Sequence, residues 1–132
     1  MNKFYKYIVL LLILFTGCNQ EIRVNPLTTK KGRYCYDGDT CYLKGGDSIR
    51  LTGINAPEIK GKCEKEIQIA IRARDYINDL INKAKYVEVS TVGKDKYGRQ
   101  LGSIYIDGQQ IQEKLIDMEL AVIYPKRKDW CK

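Results

Sequence analysis

The rhythm of apolar and polar positions changes several times along the chain. Behind Lys3 and Lys6, residues from Tyr7 to Phe15 form an unbroken apolar run, followed by Thr16, Gly17 and Cys18. Nine residues are too few to span a bilayer as a helix, so the run reads as an export signal. Asn19 to Lys31 is polar and contains Pro26, Thr28 and Thr29, the composition of a disordered tether. Gly32 to Leu43 alternates loosely about Asp37-Gly38 and predicts two short strands. Lys44 to Asp47 is a turn by composition, and Ser48 to Ile54 returns as a third strand. In that strand period two puts Ile49 and Leu51 and, past Gly53, Ile54 on a core face, with Arg50 opposite.

From Cys63 to Ala84 the period lengthens. Ile67, Ala70, Ala73, Ile77, Leu80 and Ala84 recur at three and four residues, which predicts an amphipathic helix. Tyr86 to Val92 reads as a fourth strand, Gly93 to Arg99 as a charged loop, and Leu101 to Ile106 as a fifth strand closed by the turn Asp107-Gly108. A second helix is expected from Gln109 to Met118, with Ala121 to Tyr124 as a short apolar return. Three strands, a helix, two strands and a helix make an α+β, mainly β chain. The order is that of a five-stranded OB-fold barrel with a helix between strands three and four and another after strand five. The expected organisation is a signal peptide over 1–17, a polar tether over 18–31 and one folded domain over 32–132.

Composition narrows the chemistry. The 132 residues carry a net charge of +7, which becomes +5 once Lys3 and Lys6 leave with the signal. A small basic domain attracts polyanions, either nucleic acid or an anionic membrane surface. Histidine is absent. That excludes histidine bases, histidine-dependent nucleophiles and histidine-ligated zinc, and leaves carboxylates, arginine, tyrosine or a metal to act. Gly17-Cys18 resembles the lipobox of bacterial lipoproteins, so Cys18 is expected to be acylated and the protein to sit in the cell envelope on a bacterial membrane. The remaining four cysteines read as two disulfides with three possible connectivities. Cys35 with Cys41 across a turn, leaving Cys63 with Cys131, is the favoured one.

Three blocks carry candidate chemistry: Asp37-Gly38-Asp39-Thr40, then Arg50 to Glu58 (Arg-Leu-Thr-Gly-Ile-Asn-Ala-Pro-Glu), then Asp95-Lys96-Tyr97-Gly98-Arg99. Carboxylate, amide and carbonyl oxygens suit a hard cation, and guanidinium forks match phosphate. Together they suit metal-assisted attack of water on a phosphodiester. In order and spacing the blocks resemble the signature of the thermonuclease (staphylococcal nuclease) family over residues 32 to 124.

The resemblance implies an OB-fold nuclease that cleaves DNA and RNA with Ca2+ and leaves 3′-phosphate ends. It makes Asp39, Asn55 and the main-chain oxygen of Ala56 calcium ligands, with Asp37 and Thr40 behind them. Glu58 would activate water, Arg50 and Arg99 would hold the scissile phosphate, and Lys96 and Tyr97 would contact a neighbouring one. Many family members have aspartate where this chain has Asn55, which implies weaker calcium binding. Five further tyrosines, Tyr34, Tyr36, Tyr42, Tyr105 and Tyr124, read mainly as strand formers, and the run Lys126-Arg127-Lys128 fits phosphate contact or plain solvation equally. No protein partner is implied, and a monomer is expected. A non-catalytic nucleic-acid-binding OB module on the envelope is the alternative reading, and a disulfide-stapled surface lipoprotein that binds another protein is a third.

Overall fold

The computed structural model describes residues 25–132. The signal peptide, its cleavage point and Cys18 lie outside the described residues. Among the described residues seven strands and two helices follow one another: β1 (Thr40–Tyr42), β2 (Ser48–Leu51), β3 (Ile54–Asn55), α1 (Glu64–Lys83), β4 (Val87–Lys94), β5 (Gln100–Ile106), β6 (Gln109–Gln110), α2 (Ile111–Asp117) and β7 (Val122–Ile123). The architecture is mainly β with two helices, as the periodicities predict.

The barrel is only partly borne out. One sheet runs β1-β2-β5-β4 with β6 on β5, and β3 pairs separately with β7. No pairing among the described residues joins β4 back to β1, so the sheet is open by its hydrogen bonds. Two local features account for this. The expected third strand bends at Thr52-Gly53, where Gly53 has φ +78°, and hands Ile54 and Asn55 to β7. The expected first strand, around Tyr34 and Tyr36, contributes only the isolated bridge Cys35↔Cys41 and nearby main-chain hydrogen bonds.

The tether also ends earlier than expected. Leu27 is fully buried in the core and bridges Leu43 in antiparallel fashion, and Lys44 donates its N–H to the Pro26 carbonyl. The folded body therefore starts ahead of Gly32.

The core lies between the sheet and α1. Ile49 and Leu51 of β2, Ile104 of β5, and Ala73, Ile77 and Ile81 of α1 are all fully buried. Each large aliphatic among them contributes roughly 1.5–3 kcal/mol by leaving water. The helix starts where the Cys63 Sγ accepts the Glu66 N–H and ends at Ala84, within a residue of the predicted limits. Ile81 is buried on the face where Leu80 was expected, because it continues the stripe of Ala73 and Ile77. The two disulfides are Cys35–Cys41 and Cys63–Cys131.

Two registers set up the site. β2 runs parallel to β5 with Arg50 opposite Leu101, so Arg99, just ahead of β5, lies beside the start of β2. The β4–β5 ladder shifts between Thr91 and Gly93 and closes at Lys94↔Gln100, making residues 95–99 the tip of a hairpin.

Candidate active site

Arg50 stands on the polar face of β2 with a fifth of its side chain exposed. It is held by main-chain oxygens: Nη1 donates to the Leu51 carbonyl and Nη2 to that of Ile54 at 3.1 Å. The same Nη2 pairs with Asp39 Oδ2 at 3.3 Å and reaches Asn55 Oδ1 at 3.4 Å. A guanidinium fixed by carbonyls keeps its direction without a substrate, which reduces what binding must order.

The two aspartates are buried, at 4% and 5% exposure. Asp37 Oδ1 accepts the Asp39 N–H at 3.1 Å, an Asx turn, and Asp39 accepts from Thr40 Oγ1 at 3.3 Å and from the Ala56 N–H at 3.2 Å. Gly38 lets this turn approach the helix. A Cβ there would stand 3.0 Å from the Ala56 Cβ and 3.2 Å from the Ala73 Cβ. Burial, with the Asp39 carboxylate beside it, pushes the Asp37 carboxyl up to about 8. A cation beside the two carboxyl groups would favour the ionised form of both.

Glu58 lies past the buried Pro57 on exposed chain. Desolvation and then Asp39 lift its carboxyl above the ordinary range, opposed by Arg50 and Arg99. Residues from all three sequence blocks thus act on one carboxyl.

In the hairpin tip, Arg99 Nε donates to Asp95 Oδ2 at 2.7 Å, and Asp95 Oδ1 accepts the main-chain N–H groups of Tyr97 and Arg99. These hydrogen bonds outweigh desolvation and hold the Asp95 carboxyl below the ordinary range. The Lys96 ammonium and the Arg99 guanidinium lie 5.1 and 5.6 Å from the centre of the Tyr97 ring. Arg50, Lys96, Tyr97 and Arg99 share a cleft of about 690 Å³ with Tyr124 and Arg127. Asp39, Asn55 and Glu58 do not line it, so Arg50 is the residue common to the acidic cluster and the cationic cleft.

Asp95 is a positioning residue to which the sequence blocks assign no role of its own. Its signal is there all the same: an aspartate two residues before Tyr97 and four before Arg99, ahead of a glycine with φ +80°, is the pattern of a side chain capping its own turn. Asn78 of α1 is a second such residue. Its Oδ1 accepts the N–H groups of Tyr34 and Cys35, tying the approach to Asp37 onto the helix. Nothing in its local sequence marks it, because its partners lie 44 and 43 residues away.

The expected metal ligands Asp39, Asn55 and Ala56 are adjacent, joined by Arg50 and by the Ala56–Asp39 hydrogen bond. Among the described residues no three His, Cys, Asp or Glu side chains are grouped to hold a metal ion. The donor set is a carboxylate, an amide and a main-chain carbonyl, all hard oxygen, which fits calcium or magnesium and no softer metal. Asn55 also donates Nδ2 to the Lys126 carbonyl at 2.9 Å, which leaves its oxygen turned toward Arg50.

Residues 48–132 match the family model described as Staphylococcal nuclease homologue. The chain is 36% identical over 87 residues to a Staphylococcal-like nuclease, CAN1, of Arabidopsis thaliana, covering 64% of this chain and 25% of that one. It is 32% identical over 124 residues to an uncharacterized endonuclease of Haemophilus influenzae, covering 86% and 61%. It is 33% identical over 92 residues to endonuclease YncB of Bacillus subtilis, covering 64% and 43%. The chain thus spans between a quarter and about three fifths of the length of these relatives.

Proposed function

The chain belongs to the family of staphylococcal nuclease homologues, and on that premise we propose that it is a calcium-dependent endonuclease hydrolysing DNA and RNA with little base specificity. The observation that carries the reading is the Arg50 guanidinium, fixed on main-chain carbonyls, spanning Asp39 and Asn55 while its charge and that of Arg99 reach Glu58. The endonuclease names of the Haemophilus and Bacillus relatives support it.

Asp39, Asn55 and the Ala56 carbonyl would hold the calcium ion, with Asp37 and Thr40 behind them. When bound, the ion supplies charge against the phosphate oxygens. Glu58 takes the proton of the attacking water as the water oxygen bonds to phosphorus. The bond from phosphorus to the 5′ oxygen breaks and that oxygen takes a proton from solvent water, which leaves a 3′-phosphate and a free 5′-hydroxyl. Arg50 and Arg99 donate to the phosphate oxygens, more strongly as negative charge builds on them in the transition state. Lys96 and Tyr97, which line the same cleft, meet the adjoining phosphate. Arginine forks and a cation read phosphate and sugar, not base edges, hence the low specificity.

The lipobox-like Gly17-Cys18 supports acylation at Cys18 and a place on a bacterial envelope membrane. Among the described residues no helix is long and apolar enough to cross a membrane.

Glu58→Gln removes the base and keeps the shape of the side chain. Its kcat should fall by about 10²- to 10⁴-fold, with the affinity for an oligonucleotide in chelator kept within a factor of about two. Unchanged kcat in that variant would overturn the role of Glu58. A wild-type chain that binds without cleaving would instead be a nucleic-acid-binding module.

A further inference from the structure

A second basic cleft lies mostly ahead of the segment matched by the family model. It encloses about 350 Å³ and its walls include Lys30, Lys31, Arg33, Tyr36, Ile59 and Arg74. Four cations line it and no carboxylate does. The cations arrive by different routes. Lys30 and Arg33 exchange main-chain hydrogen bonds in both directions across Lys31-Gly32, whose positive φ values of 50° and 76° make a tight turn with its side chains projecting. Arg74 rises from α1 with 15% of its side chain exposed.

The charges are also available. Among the described residues, Lys30, Lys31 and Arg33 have no acidic partner, and Arg74 pairs only through Nε, with the exposed Asp75. Among the described residues neither Nη of Arg74 has a hydrogen-bond partner, and neither is fully buried. The Lys30 ammonium sits 4.7 Å from the Tyr42 ring, and Tyr36, which also lines the cleft, is 40% exposed. The cleft also adjoins the candidate active site in sequence on both sides: Tyr36 precedes Asp37, and Ile59 follows Glu58.

Four cations with, among the described residues, a single acidic partner, Asp75, beside aromatic rings match a nucleotide, whose phosphate takes the charges and whose base takes the ring face. A recessed arginine favours a flexible strand over a flat lipid surface, since a strand can enter a concavity and a bilayer cannot. We propose that this cleft is a second nucleic-acid site, holding a phosphate of the single strand that flanks the scissile bond, with a base against Tyr36. The proposal rests on the nuclease reading for what it flanks, and its binding test is independent of turnover.

The test uses the full chain in chelator with a fluorescein-labelled single strand of about 12 nucleotides, within the usual span of an OB-type site. The triple variant Lys30→Gln/Lys31→Asn/Arg33→Gln should raise Kd about tenfold at low salt. It should also flatten the slope of log K against log salt by roughly 0.7 for each phosphate it no longer neutralises. Tyr36→Leu should weaken the same strand about fivefold or more, as removal of one stacking ring does. With calcium, the triple variant should cleave a dinucleotide at the wild-type rate while losing its advantage on the longer strand. Wild-type affinity and salt slope in the triple variant would overturn the proposal. So would a triple variant that binds the strand normally but no longer binds phosphatidylglycerol vesicles, which would assign the cleft to the membrane. If the wild type fails to cleave yet the triple variant loses strand affinity, the nuclease reading fails and the binding site stands.

Discussion

Asn55 is held from both ends of its amide. Nδ2 donates to the Lys126 carbonyl at 2.9 Å and Oδ1 accepts from Arg50 at 3.4 Å. Asn55→Asp therefore has two opposed consequences. The added negative charge should lower the calcium concentration for half-maximal cleavage. The lost donor leaves the exposed Lys126 carbonyl to water and should cost at most about 0.5–1.5 kcal/mol of stability. A calcium titration beside a melting curve checks both, and an unmoved titration midpoint would remove Asn55 from the proposed ligand set. The sequence blocks point to Asn55, Arg50 and Glu58, because those residues share one short stretch that begins in β2. They give no role to Asp95, whose spacing from Tyr97 and Arg99 nonetheless marks a turn cap, and they do not point to Asn78, whose main-chain partners lie 44 and 43 residues away. The role of Asn78 depends on where those N–H groups end up, which composition does not encode.

Among the elements, α1 is the most legible. Twenty residues give the 3.6-residue period enough turns to stand out, and its caps fall on Cys63 and Ala84. β3 and β7 have two residues each, too few to show any period, and their pairing is set by the bend at Gly53. Leu27 is hidden for a similar reason, being an isolated apolar residue between Asn25-Pro26 and Thr28-Thr29. The pairing of β3 with β7 places the segment after β7 beside Asn55, and the Cys63–Cys131 disulfide ties the end of that segment to the start of α1. Arg127 lines the cationic cleft from this segment. Removing the bridge with Cys63→Ser/Cys131→Ser should cost about 4 kcal/mol by loop entropy, against about 2 kcal/mol for the short Cys35–Cys41 loop. The long-loop variant should also show a higher KM, as Lys126 and Arg127 lose their support. Calorimetry and kinetics on the two double variants check the order, and an equal or reversed ranking would contradict it.

Across the whole molecule, charge and attachment fit one account. A basic body with two cationic clefts would be anchored through Cys18 at the envelope, where it meets free nucleic acid. Radiolabelled fatty acid should enter the chain and be lost in Cys18→Ser, and a wild-type chain without label would leave the protein unanchored. The central claim is that the pairing of Arg50 with Asp39 and Asn55, next to Glu58, forms a calcium-dependent phosphodiesterase site. The most direct measurement is cleavage of end-labelled DNA by the full chain in calcium and in chelator, with the product ends identified. The account predicts cleavage in calcium alone, with 3′-phosphate ends. Equal cleavage in chelator, or intact DNA under both conditions, would contradict it.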